Sequence, residues 1–387
     1  MSSPTNNRLL SLDILRGITI AGMILVNNPG SWKYVYAPLR HEQWHGITPT
    51  DLVFPFFMFI MGISTFISLR KYNFEFTFPT FRKIVKRTVV IFAIGVGLSW
   101  LSVSLGTLLR LDGTEIGLLE RIGKAVTNFE HVRILGVMQR LALTYGLTGL
   151  IALFVKHKYI PYIIVAGLLG YFLLLLFGNG FEQGDNNILA IVDQHILGLK
   201  HMYVDSGLDP EGILSTIPAT MHVLIGFCCG KILIETKDNR DRMLRLFIIG
   251  AMLTFSGFLL SYGCPMNKKI WSPTFVLATC GLASTLLSLL IWIIDVKGYK
   301  KWSVFFESFG VNPLFIYVLA GVLSILIGKI PIIYDGNSTS LKGFFYTHLL
   351  EPYFGGLFGS LIFAILFVLI NWLIGNILYR KKIYIKI

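Results

Sequence analysis

Long apolar runs alternate with short charged clusters along the whole chain. A membrane-spanning helix needs about 20 mostly apolar residues. Ten segments qualify: Leu9–Val26, Asp51–Leu69, Ile84–Leu105, Ile134–Val155, Tyr159–Phe177, Ile213–Ile234, Leu244–Tyr262, Trp271–Ile294, Asn312–Ile330 and Gly355–Leu378. No cleavable signal peptide is read before the first, which is long enough to act as its own anchor. The pattern predicts an all-α polytopic membrane protein with about ten transmembrane helices, forming a single transmembrane domain over residues 1–387.

Composition narrows the class further. The 387 residues are 54% hydrophobic and only 14% charged, with a mean hydropathy of +0.68. Soluble multidomain, disordered, collagenous, coiled-coil and disulfide-scaffold classes fail on these values. The cysteines Cys228, Cys229, Cys264 and Cys280 lack metal spacing, and three fall inside apolar segments, so no disulfide framework is expected. The adjacent Cys228 and Cys229 read as small packing residues.

A net charge of +13 raises the question of nucleic acid, but its placement points to bilayer topology instead. Twenty-one of the 34 Lys and Arg lie at Arg8, Arg70–Arg87, Lys156/Lys158, Lys231–Arg245, Lys297–Lys301 and Arg380–Lys386, in alternate loops; eleven lie in the others. The acids divide the opposite way, six against thirteen. Both termini are therefore expected in the cytoplasm, with loops 27–50, 106–133, 178–212 and 331–354 facing outward. Substrate chemistry is expected in those outer loops. The two halves show no internal repeat, which weakens a transporter of inverted repeats. Gly226-x-x-x-Gly230 and Gly355-x-x-x-Gly359 read as ordinary close packing between helices of one chain.

Ionisable groups inside spans are expensive and mark function by default. Asp13 and Arg16 share one helix face at i and i+3, as a local ion pair or with Arg16 left to grip a phosphate or carboxylate. Arg140 lies roughly 10 Å below the outer surface at 1.5 Å per residue. Two cations at such depths predict a polar channel suited to anionic cargo.

The densest chemical segment is the outer loop HEQWHGITPTDLVFP. His41 and His45 have no third ligand at metal spacing beside them, so no metal is expected. Histidine titrates near neutrality, and one in a wet loop can be a general base or a plain loop residue. Thr48-x-x-Asp51 reads as a capping box opening the second span, and the same carboxylate can hold the His41 ring in one tautomer.

RLLSLDILRGITIAGMILVNNPG followed by RHEQWHGITPTDLVFPFFMFIMG closely resembles the heparan-α-glucosaminide N-acetyltransferase family, which includes the lysosomal enzyme and bacterial NagX-like proteins. VMQRLALTYGL, DPEGILSTI, NKKIWSPTFV, GVNPLFIYV and LYRKKIYIKI match in family order along essentially the whole chain. The resemblance implies a transmembrane enzyme that moves acetyl from acetyl-CoA, a co-substrate, to the amine of a terminal glucosamine. It puts the family's catalytic histidine on His41, its asparagine after the first span on Asn27, and its acidic residue opening the second span on Asp51. His45 stands where the lysosomal enzyme has asparagine and is not assigned to catalysis. The lysosomal enzyme's additional luminal region and span are not read here, and the ten spans fit that difference. The family's habit implies a homodimer, and the spans imply a bacterial inner membrane with the His41 loop facing the periplasm.

Acyl transfer from a thioester needs a base for the amine proton and donors for the developing oxyanion. His41 is expected as the base, Asp51 as its orienting partner, and Asn27 as the donor to the thioester carbonyl. Residue chemistry nominates Arg16, Arg140 and Lys268 for CoA phosphates and Trp271 for stacking on adenine or the pantetheine arm. Acetyl-CoA is made inside, so either its arm threads the bundle or an acetyl group passes through His41. Direct transfer is expected, because an acetyl-imidazole facing water would hydrolyse. The rival readings are an amino-sugar transporter and an O-acyltransferase of an envelope glycan.

Overall fold

Several helix starts are written in the sequence as a Thr, Ser or Asn followed within two residues by proline, at Thr48, Thr77, Ser272 and Asn312. A computed structural model describes residues 9–112 and 115–385; Arg8, Lys386 and the outermost residues of the first and last motifs lie outside the described residues. Helix α1 covers Leu10–Asn27, and α2 covers Pro49–Arg70 behind Thr48. Next come α3 (Phe78–Arg110), whose Thr77 cap accepts from Thr80 N, and the short α4 (Leu118–Val126). They are followed by α5 (Val137–Phe154), α6 (Ile160–Phe177), the short α7 (Ile188–Leu197) and α8 (Thr216–Glu235). Asp238 caps α9 (Asn239–Leu260), and Ser272 with Pro273 opens α10 (Pro273–Leu290), which a π-turn extends to Val296. The chain closes with α11 (Val304–Val311), α12 (Pro313–Lys329), the hairpin β1 (Pro331–Tyr334) and β2 (Asn337–Ser340), the single turns α13 (Leu341–Phe344) and α14 (Glu351–Phe354), and α15 (Gly356–Arg380).

Among the described residues nine helices are long and apolar enough to cross a membrane, or ten if the bent pair α11–α12 counts as one. That pair turns by 76° at Asn312–Pro313, where proline disfavours helical backbone at the preceding residue. The Asn312 side chain ties the bend to the far end of the chain, donating to Ile383 O and accepting from Ile385 N, both at 2.8 Å. Helix α3 extends past both limits of the expected 84–105 segment. Its basic first turns are good helix formers whose stems reach toward headgroups, and nothing breaks the helix before Leu111.

Burial sorts the helices into an inner and an outer set. In its apolar stretch α8 is 72% buried and α3 only 11%; α1, α2, α5 and α10 lie with α8 inside, and α9, like α3, faces outward. Lipid is as apolar as leucine, so close packing rather than hydrophobicity must hold the inner set together. The α2–α8 crossing shows how: a Cβ on Gly62 would land on the Val223 carbonyl, and one on Gly226 on the Phe59 carbonyl. The first glycine-spaced pair is thus a close contact within one chain. The four cysteines are free.

Candidate active site

The loops that the charge pattern places on one side converge in space. Segment 28–48 leaves α1 and folds back across the bundle in hydrogen-bonded steps. Arg40 Nε donates to Val35 O at 2.7 Å, and Thr50 Oγ to Pro38 O at 3.0 Å. Trp44 Nε1 reaches Phe181 O at 2.8 Å and Gly46 N reaches Met266 O at 2.8 Å, tying this loop to the segments before α7 and before α10. His41 is left on the rim of a cavity of ≈ 270 Å³.

Asp51, in the first turn of α2 and 1% exposed, is the hub of this rim. Its Oδ1 lies 2.7 Å from His41 Nδ1 and 3.3 Å from Lys268 Nζ. Its Oδ2 accepts from Glu42 N and Thr48 N, both at 3.1 Å, with the Thr48 hydroxyl at 3.0 Å. The cap and the histidine contact coexist on one carboxylate, one oxygen for each. A carboxylate only accepts, so the 2.7 Å contact places the hydrogen on Nδ1 and leaves Nε2 with its lone pair.

Lys268 Nζ lies 3.0 Å from the same His41 Nδ1; an ammonium only donates, so with the hydrogen on Nδ1 this is a close approach and the partner of Lys268 is Asp51 Oδ1. Burial pushes its ammonium below the usual lysine range, and the charges of Asp51 and Glu211 work against that shift. The loop carrying it is knotted by Asn267, whose Oδ1 accepts from Lys269 N at 2.8 Å and Ile270 N at 3.2 Å. Trp271 follows with φ +52°, a left-handed conformation rare for a bulky side chain. Its ring holds that backbone in place, packed between Phe54, Phe275 and the guanidinium of Arg140 5.0 Å away.

Of the residues expected from sequence, His41, Asp51, Asn27, Lys268 and Trp271 all line this cavity, and Asn27 is exposed there at the end of α1. Arg16 and Arg140 do not. Arg16 donates to Asp13 and Ser64, each at 2.9 Å, and to Gly310 O at 3.3 Å, so the protein itself takes up its donors. Arg140 is 1% exposed and donates through Nη2 to Gly212 O at 3.1 Å and to the Ser215 hydroxyl, while its Nε and Nη1 have no hydrogen-bond partner among the described residues. The His45 ring lies tilted beside that of Trp44, outside the cavity lining, and burial lowers its pKa.

Sequence reasoning missed a second group on the opposite loops. Arg133 bridges Asp209 (Nε–Oδ2 3.1 Å, Nη2–Oδ1 2.5 Å) and Glu211 (2.6 Å), and lies over the Tyr203 ring at 5.1 Å. Burial acts to lower the Arg133 pKa, but Glu211 and Asp209 more than reverse that and raise it. For Glu211 burial pushes upward, and Arg133 followed by Arg140 outweighs it, keeping the carboxylate ionised. The signal was present in DPEGILSTI, two acids around a proline just before a helix. A second cavity of ≈ 280 Å³ adjoins the first and shares Asn27, Arg133 and Tyr317 with it.

A family profile described as heparan-alpha-glucosaminide N-acetyltransferase, catalytic, matches residues 8–264. The chain belongs to this family. It is 27% identical over 445 residues to the heparan-alpha-glucosaminide N-acetyltransferase of Mus musculus, covering 98% of this chain and 61% of that protein. The Homo sapiens protein of the same name is 28% identical over 443 residues, covering 98% and 60%. The chain thus spans about three-fifths of the length of these curated relatives. The family match takes in His41, Asp51, Arg133 and Glu211, while Lys268 and Trp271 follow just beyond its end.

Proposed function

We propose that this protein moves an acetyl group from acetyl-CoA to the amine of a glucosamine-type sugar at the outer face of a bacterial inner membrane. The observation that carries the reading is the 2.7 Å contact between His41 Nδ1 and the buried Asp51 Oδ1 at the edge of a substrate-sized cavity. With Nδ1 committed to Asp51, Nε2 is the base. The neutral amine attacks the thioester carbon, a C–N bond forms and the C–S bond breaks. Nε2 takes the proton released by the amine and gives it to the departing CoA thiolate. Asn27, at the junction of the two cavities, offers its side-chain N–H to the oxyanion. Lys268 balances the Asp51 charge while His41 is neutral, a role its contacts favour over holding a CoA phosphate.

Direct transfer is preferred to an acetylated His41. The His41 side chain is 42% exposed, so an acetyl-imidazole there would meet water. The outward placement is supported by the charge count, since the loops that build the cavity are those poor in Lys and Arg.

The test uses purified wild-type and His41→Ala protein in detergent with labelled acetyl-CoA and glucosamine. Label on the sugar amine with wild type alone supports the reading. Label on a hydroxyl would favour an O-acyltransferase. Saturable sugar binding or uptake in both proteins without transfer would favour a transporter.

A further inference from the structure

The Arg133–Glu211 pair has no part in the chemistry just described, yet both residues line the same cavity as His41. Their setting is a built one. Asp209, fully buried, accepts from Arg133, from Tyr203 N at 2.9 Å and from Glu211 N at 2.9 Å, so one carboxylate fixes the whole turn. Gly212 closes that turn against Asp193, where a Cβ would collide with the carboxylate. Arg140 holds the Gly212 carbonyl from the other side. A turn pinned from three directions is rigid before any ligand arrives.

What this turn presents is specific. Glu211 gives one oxygen to Arg133; its other makes no hydrogen bond among the described residues, and its side chain is 11% exposed. Tyr317, on α12, lines the cavity as well. Tyr203 and Trp32 supply aromatic wall. An ionised acceptor, a guanidinium donor and a phenol beside aromatic faces match a polyhydroxylated ring. Each ring hydroxyl both donates and accepts, and charge-assisted bonds to it are the strong ones.

We propose that Arg133 and Glu211 form the acceptor subsite, with Glu211 reading ring hydroxyls of the amino sugar and so aiming its amine at His41. The proposal rests on the N-acetyltransferase reading and names the part of the site that selects the acceptor. Acetyl-CoA is indifferent to this pair.

The experiment compares wild type with Glu211→Gln, using glucosamine and cyclohexylamine, which carries an amine on a ring without hydroxyls. Glu211→Gln is expected to raise KM for glucosamine roughly 10- to 100-fold, the worth of one charged hydrogen bond. KM for acetyl-CoA and transfer to cyclohexylamine stay within about twofold of wild type, a readout that a merely structural role would not leave intact. Equal losses with both amines, or no change with glucosamine, overturn the proposal. Glu211→Asp, which keeps the carboxylate on the same turn, carries the same comparison should the glutamine variant not purify. Glucosamine binding is measured in parallel by calorimetry. Glu211-dependent binding without any acetyl transfer by wild type would sink the transferase reading and keep the subsite; transfer indifferent to Glu211 would do the reverse.

Discussion

Asp51→Asn is the substitution whose outcome the geometry constrains most. The carboxylate collects two donors on Oδ1, His41 Nδ1 and Lys268 Nζ, and three on Oδ2: the N-cap backbone Thr48 N–H, the loop backbone Glu42 N–H and the Thr48 hydroxyl. Asparagine has one oxygen to offer. If the amide NH2 faced that side, the part-buried Glu42 and Thr48 N–H groups would lose their acceptor at about 1–3 kcal/mol each. The oxygen therefore stays on the cap side and the NH2 turns to His41. A donor facing Nδ1 forces the ring hydrogen onto Nε2, and the base is lost in the wrong tautomer. General-base catalysis contributes roughly 10²–10⁴-fold, so kcat is expected to fall by about that factor with KM for acetyl-CoA little changed. Stability falls by about 1.5–3 kcal/mol as Lys268 loses its charged partner. The assay is initial-rate acetyl transfer for Asp51→Asn, His41→Ala and the double variant. Residues acting as one unit are non-additive, so the double variant is expected to be no slower than the slower single. A double variant whose losses multiply would refute the orienting role, as would Asp51→Asn within threefold of wild type.

Two further outcomes are expected. Asp193, on α7 outside the spans, is pushed up to about 6 by burial, against which the Ile213 N–H bond pulls down. The folded protein thus binds this proton more tightly than the unfolded chain, so its stabilisation is full near pH 4 and is lost as pH rises to about 6, worth on the order of 3 kcal/mol. Thermal unfolding across pH 4–8 should show that decline in wild type and not in Asp193→Asn; identical slopes would remove the assignment. For topology, a membrane-impermeant thiol reagent added outside intact cells should label His41→Cys and not Lys83→Cys, and the reverse pattern would invert the orientation.

The fold was legible because a bilayer leaves little choice: spacing of apolar runs alone marks the helices. What the runs could not show was the break at Asn312, since an apolar stretch reads the same whether straight or bent by 76°. In the site, His41, Asp51 and Asn27 lie within 25 residues, and it was the family resemblance of that short stretch, more than residue chemistry alone, that singled them out. Arg133, Asp209 and Glu211 meet across 76–78 residues of chain, a separation no local pattern encodes. Depth in a span proved a poor guide for Arg16 and Arg140. A buried guanidinium can spend donors on backbone carbonyls and hydroxyls, as Arg16 does on Gly310 O and Ser64 and Arg140 does through Nη2 alone, its Nε and Nη1 having no hydrogen-bond partner among the described residues; a sequence does not distinguish that from waiting for an anion.

The same contacts explain how a site built from loops can hold chemistry to a fraction of an ångström. The inner helices fix only the ends of the loops, and each loop is then tied to another: Trp44 to Phe181, Gly46 to Met266, the His201 backbone and ring to Ile134 and Val132, and Lys269 to Asp205. These ties lie on different elements and close a ring around the cavity. Asp51 and Asp209 each collect donors from separate segments. On the proposed reading the two buried carboxylates play matching parts, one orienting His41 and the other the Arg133–Glu211 pair. Their burial is tolerable only because every oxygen lone pair is met by a donor. It follows that the site is assembled together with the fold and not added to it afterwards.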